Sequence, residues 1–374
     1  MQAIVIGAGP AGLAAAACLK RAGLEVAILE KADRVGAVWR GHYDRLHLHT
    51  ARGRSGLPFM ALPASVGKYP SRQDLIAYLE RYAGHFGLEP QFGCAVARAD
   101  PEGRGWRVRH SQGEARADVV VFATGLNGHP RRPDWPGMDR FPGRVLHSSE
   151  YRNADGFAGQ RVLVVGFGNS GADIATDLAQ AGVGTGLAVR GPVNLLPKEI
   201  LGVPVTSMGV FRKLFGPAAA DALTAPVVRA LIGRPEDYGM AASAKGPMRQ
   251  VVEDGKIPMI DAGALAEIKA GRIAVYPGIK RFDGSRIVFA DGRDAAFDAV
   301  VLATGYGLDL RPMLPEVAHM VLDDRGRPLI SGEPTGVPGL FFCSYHVSPS
   351  GQLRQAGLEA RAIAEEAARL RAAA

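Results

Sequence analysis

The sequence predicts an α/β protein with two Rossmann-like dinucleotide-binding domains. Two glycine-rich fingerprints carry this prediction, GAGPAG at residues 7–12 and GFGNSG at residues 166–171. Each follows a short apolar run, 3–6 or 162–165, and each leads into an alanine-rich stretch of helical character. A glycine fingerprint between a predicted strand and a predicted helix is far more specific than one that stands alone.

The three glycines of each fingerprint have separate physical roles. The first allows a tight turn from strand to helix, the second lets a pyrophosphate approach the backbone, and the third lets helix and strand pack closely. The free N–H groups and the dipole of the helix N-terminus then favour the negative phosphates. Two such sites in one chain predict two bound dinucleotides with electron transfer between them.

The residue that ends the second strand of each domain distinguishes the two nucleotides. Glu30 lies 21 residues after Gly9, where a carboxylate accepts hydrogen bonds from a ribose 2′-OH, so the first site suits FAD or NAD. Arg190 lies 22 residues after Gly168, where a guanidinium can pair with a 2′-phosphate. The second site is therefore predicted to prefer NADPH to NADH. The alternative interpretation of Arg190 is a solvated strand end.

A second repeat supports the same architecture. DVVVFATG at 118–125 is similar to DAVVLATG at 298–305, and each reads as a buried strand that ends in a Thr-Gly turn. Each also follows a predicted antiparallel hairpin, which contains residues 106–109 in the first copy and 286–289 in the second. The pattern of strand, glycine turn, helix, hairpin and ATG strand therefore occurs twice.

The order of these patterns predicts that the second domain is inserted into the first. The last apolar strand, 339–342, and a final helix at about 353–370 are expected to return to the first domain. The first domain is then predicted to comprise 1–155 and 308–374, and the second to comprise 156–307.

The composition excludes several function classes. The chain has 374 residues, 47% of them hydrophobic, which allows two cores of ordinary size. Its net charge is +7, but no basic run, zinc pattern or RNA-binding motif accompanies that charge, so no nucleic-acid partner is predicted. The first predicted strand begins within three residues of Met1, so no signal peptide is expected. No pattern predicts the oligomeric state.

Cysteine usage and hydropathy indicate the cellular setting. Cys18, Cys94 and Cys343 form no CxxC pair and no metal-ligand cluster, which favours a reduced, cytoplasmic compartment and argues against a disulfide reductase. No apolar run approaches the roughly 20 residues of a membrane span. The mostly apolar stretch 201–232 is expected to form buried helices, and a peripheral membrane contact there is the less favoured alternative.

The segment FPGRVLHSSEY at 141–151 matches the pattern FxGxxxHSxxY and resembles the identifying motif of class B flavin monooxygenases. Residues 43–49, 69–72, 196–200 and 257–263 are similar to segments of the YUCCA-type members. The resemblance covers nearly the whole chain. It implies a glutathione-reductase-like fold in which an NADPH domain is inserted into an FAD domain.

The resemblance also implies an activity. YUCCA-type enzymes use NADPH and O2 to convert indole-3-pyruvate, an aryl-2-oxoacid, into the arylacetate, through an oxygen adduct at flavin C4a. The partners so implied are a small-molecule substrate and O2. Oxygenation of nitrogen or sulfur, Baeyer–Villiger oxygenation, and oxidase or ferredoxin-reductase-like electron transfer remain the alternatives.

Matching motif positions imply the residues that contact the cofactors. They are Gly7, Gly9, Pro10, Ala11, Gly12, Glu30, Lys31, Trp39, Arg40, His49, Ala123, Thr124, Gly125, Gly166, Gly168, Asn169, Ser170, Gly171, Arg190, Thr304, Gly305, Gly351, Gln352 and Leu353. The implied catalytic residues are His49, Asn169 and His147, and His147 and Tyr151 are expected to brace the link between the domains. Ala37 departs from the GGxW turn of the family and could alter the geometry there.

Two further questions stay open at this level. His49 occupies the position where many relatives carry an asparagine beside the flavin, so it either serves the reaction or is an ordinary packed histidine. No metal is predicted at His42, His47 and His49, because no carboxylate or cysteine completes a ligand set. Basic residues that could bind a substrate carboxylate, or could equally be surface charges, are Arg45, Arg52, Arg54 and Lys198.

Overall fold

The computed structural model of the protein describes residues 1–207 and 209–373, without the side chains of residues 209–215 and 373. Residue 208, inside the apolar stretch 201–232, therefore lies outside the described residues.

The chain folds into strands and helices in the following order. The strands are β1 Gln2–Ile6, β2 Glu25–Leu29, β3 Pro90–Gln91, β4 Val96–Glu102, β5 Gly105–His110, β6 Gly113–Ala117, β7 Val119–Phe122, β8 His129–Pro130, β9 Arg144–His147, β10 Arg161–Val165, β11 Gly184–Ala188, β12 Leu195–Pro197, β13 Glu199–Ile200, β14 Val203–Pro204, β15 Met259–Asp261, β16 Ile273–Tyr276, β17 Ile279–Asp283, β18 Arg286–Phe289, β19 Asp294–Ala296, β20 Ala299–Leu302, β21 Tyr306–Gly307 and β22 Leu340–Phe342. The helices are α1 Pro10–Arg21, α2 Ala37–Arg40, α3 Arg72–His85, α4 Asn169–Gln180, α5 Gly209–Ile232, α6 Pro247–Asp254, α7 Ala264–Lys269, α8 Ala318–Val321 and α9 Gln352–Ala373.

Two compact units make up the chain. The first unit contains Met1–Arg40, Thr50–His129 and Tyr306–Ala374, and the second contains Gly41–His49 and Pro130–Gly305. The second unit is thus inserted twice into the sequence of the first, once as a short segment and once as the main body.

These bounds differ in three places from those predicted. Residues 306–307 were assigned to the second domain, but they group with the first unit. Residues 41–49 and 130–155 were assigned to the first domain, but they group with the second unit. The strand β9 explains the larger difference, since it pairs in parallel with β20 and so extends the sheet of the second unit. That pairing joins residues far apart in the sequence, so no local pattern indicates it.

The first unit is built on a parallel sheet with strand order β22-β7-β1-β2-β3. Strand β1 therefore lies between β2 and the ATG strand β7. The strands β4, β5 and β6 form a separate antiparallel sheet. Helix α1 packs against α9, and Ala14–Ala17 of α1 are fully buried. Alanines allow this close approach because their side chains occupy little space between the helix axes.

The second unit repeats this plan. Its parallel sheet has the order β16-β11-β10-β20-β9, so β10 also lies between the following strand and its ATG strand. An antiparallel sheet of β17, β18 and β19 corresponds to that of β4–β6. The predicted strands, hairpins and final helix are thus confirmed, and β22 joins the sheet of the first unit as expected.

For the side chains that the structure describes, the expectation of buried helices in the stretch 201–232 is wrong. Helix α5 is broken at Gly216 and contacts β12 and α6, but Leu201, Leu223 and Leu231 are 92%, 60% and 49% exposed. Apolar residues occur on all sides of this helix, so a partner on one side leaves the others uncovered. None of the helices in the described part of the chain has the length and apolarity needed to cross a membrane.

Candidate functional site

The first fingerprint forms a turn that excludes side chains at two of its three glycines. Gly7 has φ 108°, and a Cβ there would lie 2.7 Å from the carbonyl oxygen of Ala123. A Cβ at Gly12 would overlap the carbonyl oxygen of Gly7. At Gly9, by contrast, a Cβ would meet no atom within 4 Å. The space beside Gly9 is therefore open to a ligand that approaches the backbone, as the fingerprint predicts.

Helix α1 begins at this open space without a capping side chain. Gly9 is its N-cap, and no side-chain hydrogen bond caps the first turn. Pro10 follows at the first helical position, where its missing N–H costs nothing. The N–H groups of Ala11 and Gly12 belong to the turn that an α-helix leaves without internal partners. A pyrophosphate placed beside Gly9 would supply the missing acceptors.

Glu30 is held against the same turn. Its Oε2 accepts a hydrogen bond from the backbone N–H of Ala8 at 2.6 Å, and its Oε1 accepts one from Ala32 at 2.9 Å. A carboxylate has about four acceptor positions, so the orientation is fixed while others remain for ribose hydroxyls. Lys31, next to it, is exposed. We call Gly7, Gly9, Gly12 and Glu30 the first cradle.

The turn that contains Trp39 and Arg40 lies beside the first cradle. The N–H of Gly36 donates to the carbonyl of Ala8 at 3.1 Å, and Gly36 needs its flexibility because its φ is 66°. Ala37 opens the helical turn α2, a conformation that any residue adopts, so the departure from GGxW leaves this backbone undistorted. The guanidinium of Arg40 is hydrogen-bonded to Glu80, so Arg40 is anchored within the first unit.

Two other predicted segments of the first unit are arranged around the same end of its sheet. The hydroxyls of Thr124 and Tyr345 lie 2.7 Å apart, and the N–H of Thr124 also donates to that tyrosine oxygen. Gly125 follows with φ 80°, and Gly351, with φ 100°, precedes α9. The side-chain amide of Gln352 donates to carbonyl oxygens and a hydroxyl in the 344–346 segment. Next to it, Leu353 is buried in the core.

The second fingerprint reproduces the geometry of the first. Gly166 has φ 105°, and a Cβ there would lie 2.6 Å from the carbonyl oxygen of Ala303. A Cβ at Gly171 would overlap the carbonyl oxygen of Gly166, whereas one at Gly168 would meet nothing within 4 Å. Helix α4 also starts without a side-chain cap, so the N–H groups at Ser170 and beyond face the same open space.

Arg190 follows β11 at the position predicted for a 2′-phosphate partner. Its side chain is exposed, with its aliphatic part against Gly278. Across the residues that the structure describes, Arg190 takes part in no ion pair. An exposed and unpaired guanidinium at this strand end suits a phosphate ligand. We call Gly166, Gly168, Gly171 and Arg190 the second cradle.

Asn169 has a structural contact that the sequence did not indicate. Its Oδ1 accepts a hydrogen bond from the backbone N–H of Ile260 at 2.9 Å, which ties the start of α4 to β15. No residue that the structure describes accepts a hydrogen bond from the N–H2 group of this side chain. Asn169 therefore positions the second cradle through its oxygen, and any role toward a nucleotide belongs to its amide nitrogen or its backbone.

Both ring nitrogens of His147 form hydrogen bonds within the second unit. Its Nδ1 accepts from the backbone N–H of Ser149 at 3.2 Å, so the proton resides on Nε2, which donates to the carbonyl of Gly305 at 3.1 Å. Burial lowers the pKa of His147, which keeps the ring neutral. This contact links β9 to the ATG turn, where the Thr304 hydroxyl donates to the carbonyl of Arg131. We interpret His147 as a positioning residue.

Tyr151 is braced in the same unit. Its hydroxyl donates to a carboxylate oxygen of Asp177 at 2.7 Å, and its ring stacks on Phe157 with the centroids 5.8 Å apart. Burial and the neighbouring carboxylate raise the pKa of Tyr151 far above its usual value, so it stays protonated.

His49 is a neutral, largely buried side chain of the second unit. Burial, assisted by the charge of Lys198, lowers the pKa of His49 to about 4. Its Nδ1 is buried without a hydrogen-bond partner among residues 1–207 and 209–373. Over the same residues, no group of three potential ligands could hold a metal ion, so His42, His47 and His49 form no such site.

The structure adds Asp173 to the residues near His49 and Lys198. Asp173 is 6% exposed, accepts a hydrogen bond from the hydroxyl of Tyr43 at 2.9 Å, and has a pKa raised by burial to about 6. Burial also lowers the pKa of Lys198. The sequence signal for this group was an aspartate among the buried apolar residues of α4.

Two of the three arginines that were candidates for binding a substrate carboxylate have protein partners. Arg45 donates to the side-chain oxygen of Gln180 at 2.6 Å, and Arg52 donates to the backbone carbonyls of Ala64 and Val66. The two arginine side chains thus stabilise the folded chain through these hydrogen bonds. Arg54 differs, because its Nε is buried without a partner among the described residues.

Comparisons with known proteins identify the family of this chain. The family described as pyridine nucleotide-disulphide oxidoreductase matches residues 4–196. The chain is 38% identical over 323 residues to indole-3-pyruvate monooxygenase YUCCA1 of Oryza sativa subsp. japonica, which covers 85% of this chain and 80% of that one. It is likewise 38% identical over 323 residues to YUCCA6 of Arabidopsis thaliana, with 84% and 78% covered. The chain belongs to the YUCCA family of flavin monooxygenases.

Solved structures support the same assignment. A flavin-containing monooxygenase from Stenotrophomonas maltophilia matches with a TM-score of 0.74 and 26% identity, over 100% of this chain and 98% of that chain. This YUCCA-family chain is therefore a flavoprotein monooxygenase with two Rossmann-type domains, and it uses FAD and NADPH. Its three cysteines are free and buried, so they form no redox pair of the disulphide-reductase type.

Alanine substitutions should separate the roles of the glycines. Gly9→Ala adds a Cβ into open space at φ −80°, so we expect the FAD-free protein to keep its stability within about 0.5 kcal/mol while its affinity for FAD falls. Gly12→Ala forces α1 away from β1 and should cost more than about 3 kcal/mol. Urea unfolding of the FAD-free proteins and FAD titration followed by flavin fluorescence measure both effects. Equal stability of the two variants would contradict this division.

Removing the guanidinium of Arg190 should affect one nucleotide selectively. In Arg190→Gln, we expect the KM for NADPH to rise at least about tenfold, because one or two charge-assisted hydrogen bonds are lost. The KM for NADH should change less than about twofold, since NADH lacks the 2′-phosphate. Arg140→Gln, at another exposed arginine of the second unit, is the matched control. An equal rise in the KM for NADPH and for NADH would refute the assignment of Arg190 to the 2′-phosphate.

His49 should make stability depend on pH. Because the pKa of His49 falls from 6.5 to about 4 on folding, the unfolded chain binds a proton in this window that the folded chain does not bind. Stability is therefore lost as the pH falls from 6.5 toward 4, by about 2–3 kcal/mol at pH 4.5. The free energy of unfolding, measured in urea, should differ less between pH 7 and pH 4.5 in His49→Gln, because this contribution is removed. The exposed His319→Gln variant is the control, and an unchanged difference in His49→Gln would show that His49 does not titrate in this way.

Proposed function

We propose that this chain catalyses the NADPH- and O2-dependent oxidative decarboxylation of an aryl-2-oxoacid of the indole-3-pyruvate type. The balanced reaction is aryl-CH2-CO-COO⁻ + O2 + NADPH + H⁺ → aryl-CH2-COO⁻ + CO2 + H2O + NADP⁺. The substrate class is supported by relatives named indole-3-pyruvate monooxygenase that align over about four fifths of their length.

The observation that carries this proposal is the pair of matched cradles with opposite charges at the strand ends. Glu30 offers acceptors to ribose hydroxyls, and Arg190 offers donors to a phosphate. The first cradle therefore fits the ADP part of FAD, and the second fits NADPH. In each, the open space beside the second glycine and the uncapped helix meet the needs of a pyrophosphate. The flavin, when bound, supplies hydride acceptance and activation of O2.

The protein's own groups then bind the cofactors, orient them and shield the site from solvent. When the cofactors are bound, the backbone N–H groups at the starts of α1 and α4 would hold the two pyrophosphates. His147 fixes the ATG turn of the second unit through Gly305. We assign to His49 the role of a hydrogen-bonding group that stays uncharged at neutral pH, because its pKa is far below 7. An uncharged imidazole can donate or accept a hydrogen bond without adding a proton to the solvent-shielded site.

Cytoplasmic location is part of the proposal. It is supported by the three free cysteines, all of them buried, since disulfides are rare where thiols are kept reduced. Fractionation of host cells tests it, and recovery of the protein in an oxidising extracellular fraction would contradict it.

Product analysis tests the proposed reaction. The FAD-loaded enzyme is given NADPH, O2 and either indole-3-pyruvate or phenylpyruvate, with catalase present because free hydrogen peroxide decarboxylates 2-oxoacids by itself. We expect one arylacetate and one CO2 for each NADPH consumed. With ¹⁸O2, one labelled oxygen atom should enter the arylacetate carboxylate.

Competing substrates complete this test. Thioethers, amines and simple ketones are supplied under the same conditions, and the enzyme without NADPH is the blank. Oxygenation of those compounds in place of the 2-oxoacid would overturn the substrate assignment. Consumption of NADPH with hydrogen peroxide as the sole product would indicate an oxidase.

A further inference from the structure

A groove in the first unit is not accounted for by the cradles. It encloses about 510 Å³ and lies between the loop 52–62 and one face of α9. None of the residues assigned to FAD lines it. This volume lies within the usual range of small-molecule sites, about 300–1,000 Å³.

Unpaired arginines surround the groove. Arg54, Arg354 and Arg361 line it, and they form no ion pair with any residue that the structure describes. None of the described lining residues is an aspartate or a glutamate. The Nε of Arg54 is in addition buried without a hydrogen-bond partner. Cations gathered without counter-charge repel one another, and an anionic ligand would relieve that repulsion.

The floor of the groove is apolar. Leu57 and Leu62 are buried beneath it, while Leu358 of α9 is 49% exposed toward it. Helix α9 approaches the loop closely at Gly357, where a Cβ would lie 3.1 Å from Cδ of Pro58. A ligand for this groove therefore needs an apolar body as well as a negative charge.

Phe59 is the unusual residue of the groove. It is a bulky side chain with φ 69°, a left-handed conformation that such residues rarely adopt, and it is 42% exposed. The guanidinium carbons of Arg21 and Arg361 lie 4.4 Å and 4.6 Å from its ring centroid. Strained residues of this kind concentrate at ligand-binding sites, where the surroundings hold them in place.

Two buried tyrosines of α3 hold the loop in this conformation. The hydroxyl of Tyr78 accepts from the N–H of Leu57 at 2.7 Å and donates to the carbonyl of Met60 at 2.6 Å. The hydroxyl of Tyr82 donates to the carbonyl of Pro58 at 3.0 Å. The segment that presents Phe59 is thus fixed on both sides by side chains that are fully buried. A ligand would meet a preorganised surface and would spend little free energy on ordering it.

We propose that this groove is a binding site for an aromatic carboxylate. The guanidinium forks of Arg54 and Arg354 match the two oxygens of a carboxylate. The aromatic ring of the ligand lies on the apolar floor beside Phe59 and Arg361, since guanidinium planes stack on aromatic faces. The choice of arylacetates as probes rests on the proposed function, but the site itself does not depend on turnover.

Binding to the FAD-loaded enzyme without NADPH tests the proposal. 4-Fluorophenylacetate is titrated and followed by ¹⁹F NMR in the unmodified protein and in Arg54→Gln and Arg354→Gln. We expect each substitution to weaken binding at the groove at least tenfold. Arg369→Gln, at an exposed arginine of α9 outside the groove, should bind as the unmodified protein does. The neutral 4-fluorophenylacetamide should bind at least tenfold more weakly than the acid.

Photolabelling shows where the probe binds. 4-Azidophenylacetate should label peptides that contain residues 56–62 or 354–361, and excess phenylacetate should prevent this. Labelling confined to other peptides, or unchanged affinity in both arginine variants, would overturn the proposal. Phenyl phosphate that binds at least tenfold more tightly than phenylacetate would overturn the choice of a carboxylate.

The two proposals fail separately. If the groove binds arylacetates but no arylacetate is formed from the 2-oxoacid, the proposed reaction fails and the site stands. If arylacetate is formed but the groove is neither labelled nor affected by the arginine substitutions, the site fails and the reaction stands. Arg354 is exposed on α9, so its variant remains informative even if the partly buried Arg54 is needed for folding.

Discussion

The close approach of helix and strand within each fingerprint is the constraint on which the rest of the structure depends. In both units the third glycine lies against the carbonyl of the first, and the first lies against the carbonyl that ends the ATG strand. The parallel register of β1 with β7, and of β10 with β20, brings these carbonyls into position. This close packing places the first turn of each helix, with its unpaired N–H groups, beside the open space at the second glycine.

Backbone groups rather than flexible side chains form most of each cradle. A glycine turn and an uncapped helix are common to both units, so the distinction between nucleotides is left to one residue at a strand end, Glu30 or Arg190. The residues that support the cradles are mostly neutral and buried. His147 and Tyr151 keep their protons on defined atoms because burial disfavours the charged forms.

Local patterns were sufficient to predict the repeated part of this fold. The strands, glycine turns, helices and hairpins each depend on residues that are neighbours in the sequence, and all of them are present as expected. Contacts between distant segments could not be read in this way. The oxygen of Asn169 bonds to Ile260, the guanidinium of Arg40 bonds to Glu80, and β9 joins the second sheet. The exposed face of α5 was missed because apolar composition does not show which side of a helix finds a partner.

The buried thiols have a consequence for how this protein withstands its own chemistry. Cys18 and Cys343 are 3% and 0% exposed, and burial raises the pKa of Cys18 to about 11 and that of Cys343 as well. Oxidants attack the ionised thiolate at an accessible sulfur, and neither condition is met at these two positions. An enzyme that handles molecular oxygen thereby keeps these two thiols away from reactive by-products, which disfavours the formation of sulfenic acid at either position.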